Sequence, residues 1–177
     1  MAATSDQLTA AYMAREAQIR ARVLAYVTAV WGSSASLRDA DVTRIIARII
    51  PAVQGGQLQV ANLTNAYIQR IAELDGITSA AAAVDRTRVI EYRGTPPAEV
   101  YRRPAVATYT ALAAGASFEA AKGKGLTRLL SIASTDLQQA RTRQAAAAYA
   151  GSGFEYTVRV LSGSENCALC VIASTQR

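Results

Sequence analysis

The sequence predicts a mainly α protein, in which long helices are followed by a short C-terminal β element that begins a truncated α+β domain around a cysteine pair. Three observations lead to that class. Apolar residues recur at helical spacing over most of the chain. The period changes to two only near the C-terminus. Cys167 and Cys170 stand just beyond that change. A length of 177 residues with an apolar share of 51% suits one ordinary domain or two small ones and excludes a disordered chain.

The first region, 1–76, reads as helices. Ser5 and Asp6 offer N-caps. Leu8, Tyr12, Ile19, Val23, Tyr26, Val27 and Val30 then recur at steps of three, four and seven. Gly32 is placed to end this helix in a left-handed cap. The helix over 7–31 is a rod of roughly 40 Å, with Arg15, Glu16, Arg20 and Arg22 on its other face. A second helix starts after Ser36, with Asp39 and Asp41 near the positive end of its dipole and Val42, Ile45, Ile46, Ile49 and Ile50 as its stripe. Pro51 is expected to end or kink it and to open a third helix, because the ring removes a donor and clashes with the preceding turn. That third helix carries Val53, Val60, Leu63, Tyr67, Ile68, Ile71 and Leu74; Gly55 and Gly56 weaken its start and Gly76 stops it.

The segment 77–97 is connecting. Residues 80–84 could extend a helix, 86–92 alternate polar with apolar, and Gly94-Thr95-Pro96-Pro97 breaks any regular element. The main organisational boundary falls here. In the region 98–151, Pro97 and Pro104 each open a short helix, over 98–102 and 105–114. Ser117 caps a further stretch that Gly123 and Gly125 interrupt, each at a cost of roughly 1 kcal/mol relative to Ala. A long helix follows from Leu126 to about Ala150, with Leu129, Leu130, Ala133, Leu137, Ala140 and Ala147 on one face, and Gly151-Ser152-Gly153 ends it.

The last region, 152–177, begins a different domain. Phe154, Tyr156, Val158 and Val160 alternate with Glu155, Thr157 and Arg159, which is the pattern of a strand. A strand needs a partner: downstream, in 88–92, or in another subunit. Cys167-Ala168-Leu169-Cys170 has the spacing at which two thiolates share a tetrahedral Zn²⁺. Four ligands are needed, so on a metal reading the pair is a half-site for zinc that residues expected beyond the chain would complete, set against the first reading of two small, partly buried thiols in a strand–turn–helix join. A redox pair is the third reading, and the compartment is expected to be reducing. The domain is expected to continue past Arg177.

Composition excludes several chemistries. The chain has no histidine, so neither a Ser-His-Asp triad nor a Cys-His pair nor an HExxH zinc site can be built from it. Its 13 acids are scattered, and no pair is marked for glycosidase work. No cofactor is implied apart from zinc. Mean hydropathy is +0.11, much of it from alanine. The charge-free stretches 23–37 and 104–118 are too short to span a bilayer, and 49–69 is broken by Pro51, Gly55, Gly56 and several amides. Asp6 and Gln7 stand where the apolar part of a secretory leader would begin, so no leader and no membrane partner are expected.

The net charge is +6, and all but Lys122 and Lys124 of the 19 basic residues are arginines. They gather at Arg86, Arg88 and Arg93, at Arg102 and Arg103, at Lys122, Lys124 and Arg128, and at Arg141 and Arg143. Arginine forks grip phosphates, so these ten side chains are the candidate contacts to a DNA backbone, with solvated helix faces as the alternative. Nothing in the chain suggests sequence-specific reading. Lys122-Gly123-Lys124-Gly125-Leu126-Thr127 lacks the spacing of a phosphate loop. The alanine-rich helix backs suit either close packing within a bundle or docking on a partner.

The run from Tyr156 through Gly163 to the Ser164-Glu165-Asn166-Cys167-Ala168-Leu169-Cys170 segment and Arg177 resembles the cysteine-motif region of MuF-like phage head-morphogenesis proteins, the minor capsid proteins of tailed phages and particularly of actinobacteriophages. Arg102-Arg103-Pro104 and the stretch from Ala133 to Arg141 resemble that family's helical part, so the similarity covers 101–177. The resemblance implies a non-enzymatic virion protein, present in few copies. It would be attached to the portal inside the head, assembled in the host cytoplasm, and in contact with packaged double-stranded DNA and with major capsid or scaffold protein. The family's region usually continues into a His-Pro-x-Cys-x-Cys-like segment, which is absent here. The alternatives are the N-terminal region of a capsid maturation protease fusion, with its catalytic part beyond residue 177, and a free-standing non-specific DNA binder.

Overall fold

The computed structural model describes residues 4–78 and 82–154. Five helices follow one another: α1 (Ser5–Gly32), α2 (Asp39–Leu74), α3 (Arg86–Ile90), α4 (Pro97–Ala113) and α5 (Phe118–Ala150). The protein is mainly α, as its periodicity requires. The expected strand over 154–161 lies, after Phe154, outside the described residues, as do Cys167 and Cys170.

α1 begins one residue before the sequence suggests. Thr4 is its N-cap: the Thr4 hydroxyl accepts from the Gln7 amide at 3.3 Å, and the Gln7 side-chain oxygen accepts from the Thr4 amide at 3.0 Å. This reciprocal pair satisfies two donors that a helix start leaves unmet. At the other end Gly32 is not a left-handed cap. It is the last helical residue, and Ser33 follows in right-handed geometry. The cause is tertiary. The Lys122 ammonium, arriving from α5, donates to the carbonyls of Gly32 at 2.8 Å and Ser34 at 2.6 Å. A cation there satisfies the helix end and matches its dipole.

α2 is one helix of about 54 Å where the sequence suggests two. Pro51 sits inside it without ending it. Both Pro51 and Ala47, whose carbonyl loses its donor, are exposed, so solvent satisfies that carbonyl. Gly55 and Gly56 are also interior. Gly56 is buried, and a Cβ there would stand 2.6 Å from Val23 of α1 and 3.0 Å from Leu137 of α5. Gly76, at φ +67°, does stop the helix.

The alternation over 86–92 does not make a strand. Asp85 accepts from the amides of Thr87 at 2.9 Å and Arg88 at 3.4 Å and so starts the one-turn helix α3, which buries Val89 and Ile90 against Ala61 and Ala140. Nor do Pro97 and Pro104 open two helices. Pro97 occupies the first turn of a single α4, and Pro104 lies inside it, buried. Gly123 and Gly125 likewise leave α5 continuous from its Ser117 cap to Gly151.

The four longer helices share one core. α1 packs along α2, α2 along α5 and α4 along α5, while α3 fills the crevice between α2 and α5. Ile19, Val27 and Trp31 of α1, Ile49, Val53 and Val60 of α2, Val100 and Tyr101 of α4, and Leu129, Ala133 and Leu137 of α5 belong to the same apolar cluster. Its tightest point is Gly125. A Cβ there would meet the Thr108 hydroxyl at 2.2 Å, the Trp31 ring at 2.7 Å and the Pro104 carbonyl at 2.9 Å. Trp31 donates its indole N–H to the Lys122 carbonyl at 3.1 Å, one turn away on the same helix. Among the described residues no helix is long and apolar enough to cross a membrane.

The two glycines of α5 therefore separate in experiment. Gly125→Ala is expected to destabilise the protein by about 2 kcal/mol through overpacking. Gly123→Ala, where nothing lies within 4 Å, should stabilise it by roughly 0.5–1 kcal/mol through helix propensity. Urea unfolding of the two variants checks both, and equal shifts would refute the close approach.

Candidate functional site

The main polar site is built on an acid in an apolar stripe. Asp136 lies on the face of α5 that also carries Leu129, Ile132, Ala133, Leu137 and Ala140, and is 5% exposed. A carboxylate carried inside this way must be satisfied there. Three side chains do it. Oδ1 accepts from the Tyr92 hydroxyl at 2.6 Å and from Arg93 Nε at 2.8 Å and Nη2 at 2.5 Å; Oδ2 accepts from the Tyr101 hydroxyl at 2.6 Å. Gln57 of α2 donates to the Val89 carbonyl at 3.3 Å and reaches the Asp136 carbonyl at 3.5 Å.

The electrostatics follow from that packing. Burial, then the adjoining carboxylate, push the Tyr101 phenol far above its ordinary value, and the same two causes raise Tyr92. Burial works against the charged Arg93 guanidinium, but its bonds to Asp136 and the negative charge there raise it on balance. Both tyrosines stay protonated and both donate. The carboxylate's lone pairs are taken up by donors from α4 and from the turn after α3. The cavity beside it measures about 20 Å³, room for about one water. This chemistry is structural: the node ties the α3 turn and α4 to α5.

A second node stands two turns further along α5. Gln144 is fully buried. Its amide nitrogen donates to Asn65 of α2 at 3.2 Å and to the Ala82 carbonyl at 3.3 Å, and its oxygen accepts from Arg88 Nη2 at 3.2 Å. Arg88 Nη2 also reaches the Ala83 carbonyl at 3.1 Å.

The ten cations of the sequence-based DNA surface differ in their partners. Arg93 is bound to Asp136 and Lys122 closes α1. Arg102 pairs with Asp39 and bonds Thr43 at 3.3 Å. Arg141 pairs with Glu16 of α1 at 3.0 Å. Arg88 is held as above, and the Arg143 guanidinium lies 4.7 Å over the Tyr92 ring. Arg86, Arg103, Lys124 and Arg128 face outward. Successive helical residues diverge by 100°, so neighbours in sequence need not share partners: Arg102 and Arg103 are both exposed, and Arg102 pairs with Asp39. The zinc half-site at Cys167 and Cys170 lies outside the described residues.

Sequence reasoning missed Asp136, Tyr92, Tyr101, Gln57 and Gln144. One signal was available: Asp136 falls on the stripe of Leu129, Ala133, Leu137 and Ala140, where an acid must find donors. Elsewhere, Tyr12 and Tyr67 stack at 4.4 Å and bond Thr64 and Thr9 respectively, pinning α1 to α2 beside an open cleft that Tyr149 and Arg141 complete. Comparison with protein-family models, with curated proteins and with solved structures found no match.

Two measurements test the node. Asp136→Ala should cost roughly 3 kcal/mol, because it leaves a guanidinium and two phenols without their acceptor; urea unfolding reads it. Above pH about 10 the tyrosines of the unfolded chain ionise while Tyr92 and Tyr101 hold their protons in the folded one. The unfolded state then binds fewer protons, so stability falls as pH rises through this range. Tyr101→Phe should flatten that fall between pH about 9 and 11, and an unchanged slope would refute the assignment.

Proposed function

We propose that this protein is a structural component of a phage head: a MuF-like minor capsid protein that attaches to the portal on the inner side and contacts packaged DNA through its outward-facing cations. The observation that carries this reading is how the chain disposes of its polar groups. Three of the buried ones, Asp136, Gln144 and Gln57, join helices to one another, while several of the cations stay outside. A stiff bundle of long helices with a basic exterior suits a part that bridges a protein ring and nucleic acid.

The resemblance of 101–177 to the MuF-like family supports the reading, and its helical portion falls on α4 and α5. Large apolar side chains at the surface, Val106 and Tyr109 of α4 and Met13 and Tyr26 of α1, suit docking on a partner. Contact with nucleic acid alone, without a portal, is the second reading, favoured by the exposed Arg86, Arg103, Lys124 and Arg128.

The chain is expected to co-purify with the portal protein of the same genome and to appear by mass spectrometry in purified particles. No binding to assembled portal at micromolar concentration, together with absence from particles, would refute the head assignment and leave the nucleic-acid reading.

A further inference from the structure

Arg88 and Arg143 stand apart from the other cations of the chain. Both are half-buried, and the Nε atoms of both are buried with no hydrogen-bond partner. Among the described residues neither has a carboxylate within ion-pairing distance. A guanidinium withdrawn from water is normally paired. Arg93 shows the ordinary solution, a buried carboxylate. Among the described residues Arg88 meets only neutral acceptors, the Ala83 carbonyl and the Gln144 amide oxygen, and Arg143 lies over the Tyr92 ring.

Both side chains cross between the same two elements. Arg88 reaches from α3 to Gln144 of α5, and Arg143 of α5 lies over Tyr92 in the turn after α3, so each guanidinium contributes to the α3–α5 seam. Their positions are set by rigid contacts. Gln144 is fixed by Asn65 and Ala82. Tyr92, beneath Arg143, is fixed by Asp136 and also carries Arg93 at 5.1 Å from its ring centre. The nearby acids are engaged or outside: Asp136 by three side chains, Asp85 by the start of α3, and Glu91 is exposed. Two preorganised forks, each with an unused donor and, among the described residues, no paired carboxylate, match an oxyanion with several acceptor oxygens.

We propose that the α3–α5 seam is an oxyanion site in which Arg88 and Arg143, set by Gln144 and Tyr92, receive a phosphate of a nucleic-acid backbone. This rests on the DNA contact proposed above and adds two half-buried cations to the outward-facing ones named there.

Binding of the full chain to a short duplex DNA, followed from about 50 to 200 mM salt, tests it. Arg88→Gln/Arg143→Gln should weaken binding by about tenfold at the lower salt and reduce the salt slope by about 2. Arg15→Gln/Arg22→Gln removes the same charge from the exposed face of α1 and should change affinity by less than about twofold. An equal loss in both double variants overturns the site in favour of net charge. Inorganic phosphate that raises the wild-type melting temperature but not that of Arg88→Gln/Arg143→Gln, with DNA affinity equal in the two, overturns the nucleic-acid assignment. The unmutated chain gives a reading that does not depend on any variant folding. Duplex DNA should shield Arg88 and Arg143 from a dicarbonyl reagent more than Arg15 and Arg22, as mapped by mass spectrometry, and uniform shielding overturns the proposal. The portal enters none of these assays, so failure of the site and failure of the portal reading are separate results.

Discussion

The carboxylate of Asp136 is the interaction on which the arrangement of the second half of the chain depends. A charge on the inner face of a helix has to be matched by donors brought from elsewhere. Here the donors come from Tyr101 in α4 and from Tyr92 and Arg93 in the turn after α3. Apolar packing alone is non-directional and tolerates slippage. Four hydrogen bonds of 2.5–2.8 Å to one carboxylate do not. They fix the register of α4 on α5 and hold a helix of a single turn that could not persist by itself.

The long helices are held against one another by a different means, glycines onto which neighbouring side chains close. Gly56 lets α2 meet Val23 of α1 and Leu137 of α5 where a Cβ would collide, and Gly125 does the same for α5 against Trp31, Thr108 and Pro104. These contacts explain why helices that are interrupted on paper run unbroken. The propensity penalty of a glycine is about 1 kcal/mol. The packing that its missing side chain permits extends over several buried residues of the same core. Lys122 and Trp31 then lock the end of α1 to the start of α5.

Surface charge is sorted by the same geometry. Of the basic residues that cluster in sequence, Lys122 closes a helix, Arg93, Arg102 and Arg141 meet acids, Arg88 and Arg143 meet neutral groups, and Arg86, Arg103, Lys124 and Arg128 face solvent. Function on the proposed reading belongs to what remains outside that network: exposed apolar side chains for a protein partner and unpaired guanidinium groups for phosphate.

Much of the fold is legible in the chain. The apolar stripes locate the buried faces of α1, α2 and α5, and Ser117 and Gly76 mark true ends, because periodicity and capping are local properties. The alternation at 86–92 misleads, since an Asp85 cap and two buried apolar residues make a helical turn as readily as a strand. Of the candidate site, only Asp136 leaves a mark, as an acid on an apolar stripe. Its partners do not, because Tyr92 and Tyr101 are ordinary in their own neighbourhoods and lie 44 and 35 residues away. What the sequence by itself determined was the class of element and the face that each would bury. Only the tertiary structure decided whether a proline or glycine breaks its helix and which arginines are free. The physical reason is that a missing donor, a missing side chain or an unpaired charge has no fixed cost: it depends on the solvent, backbone or carboxylate that folding places beside it.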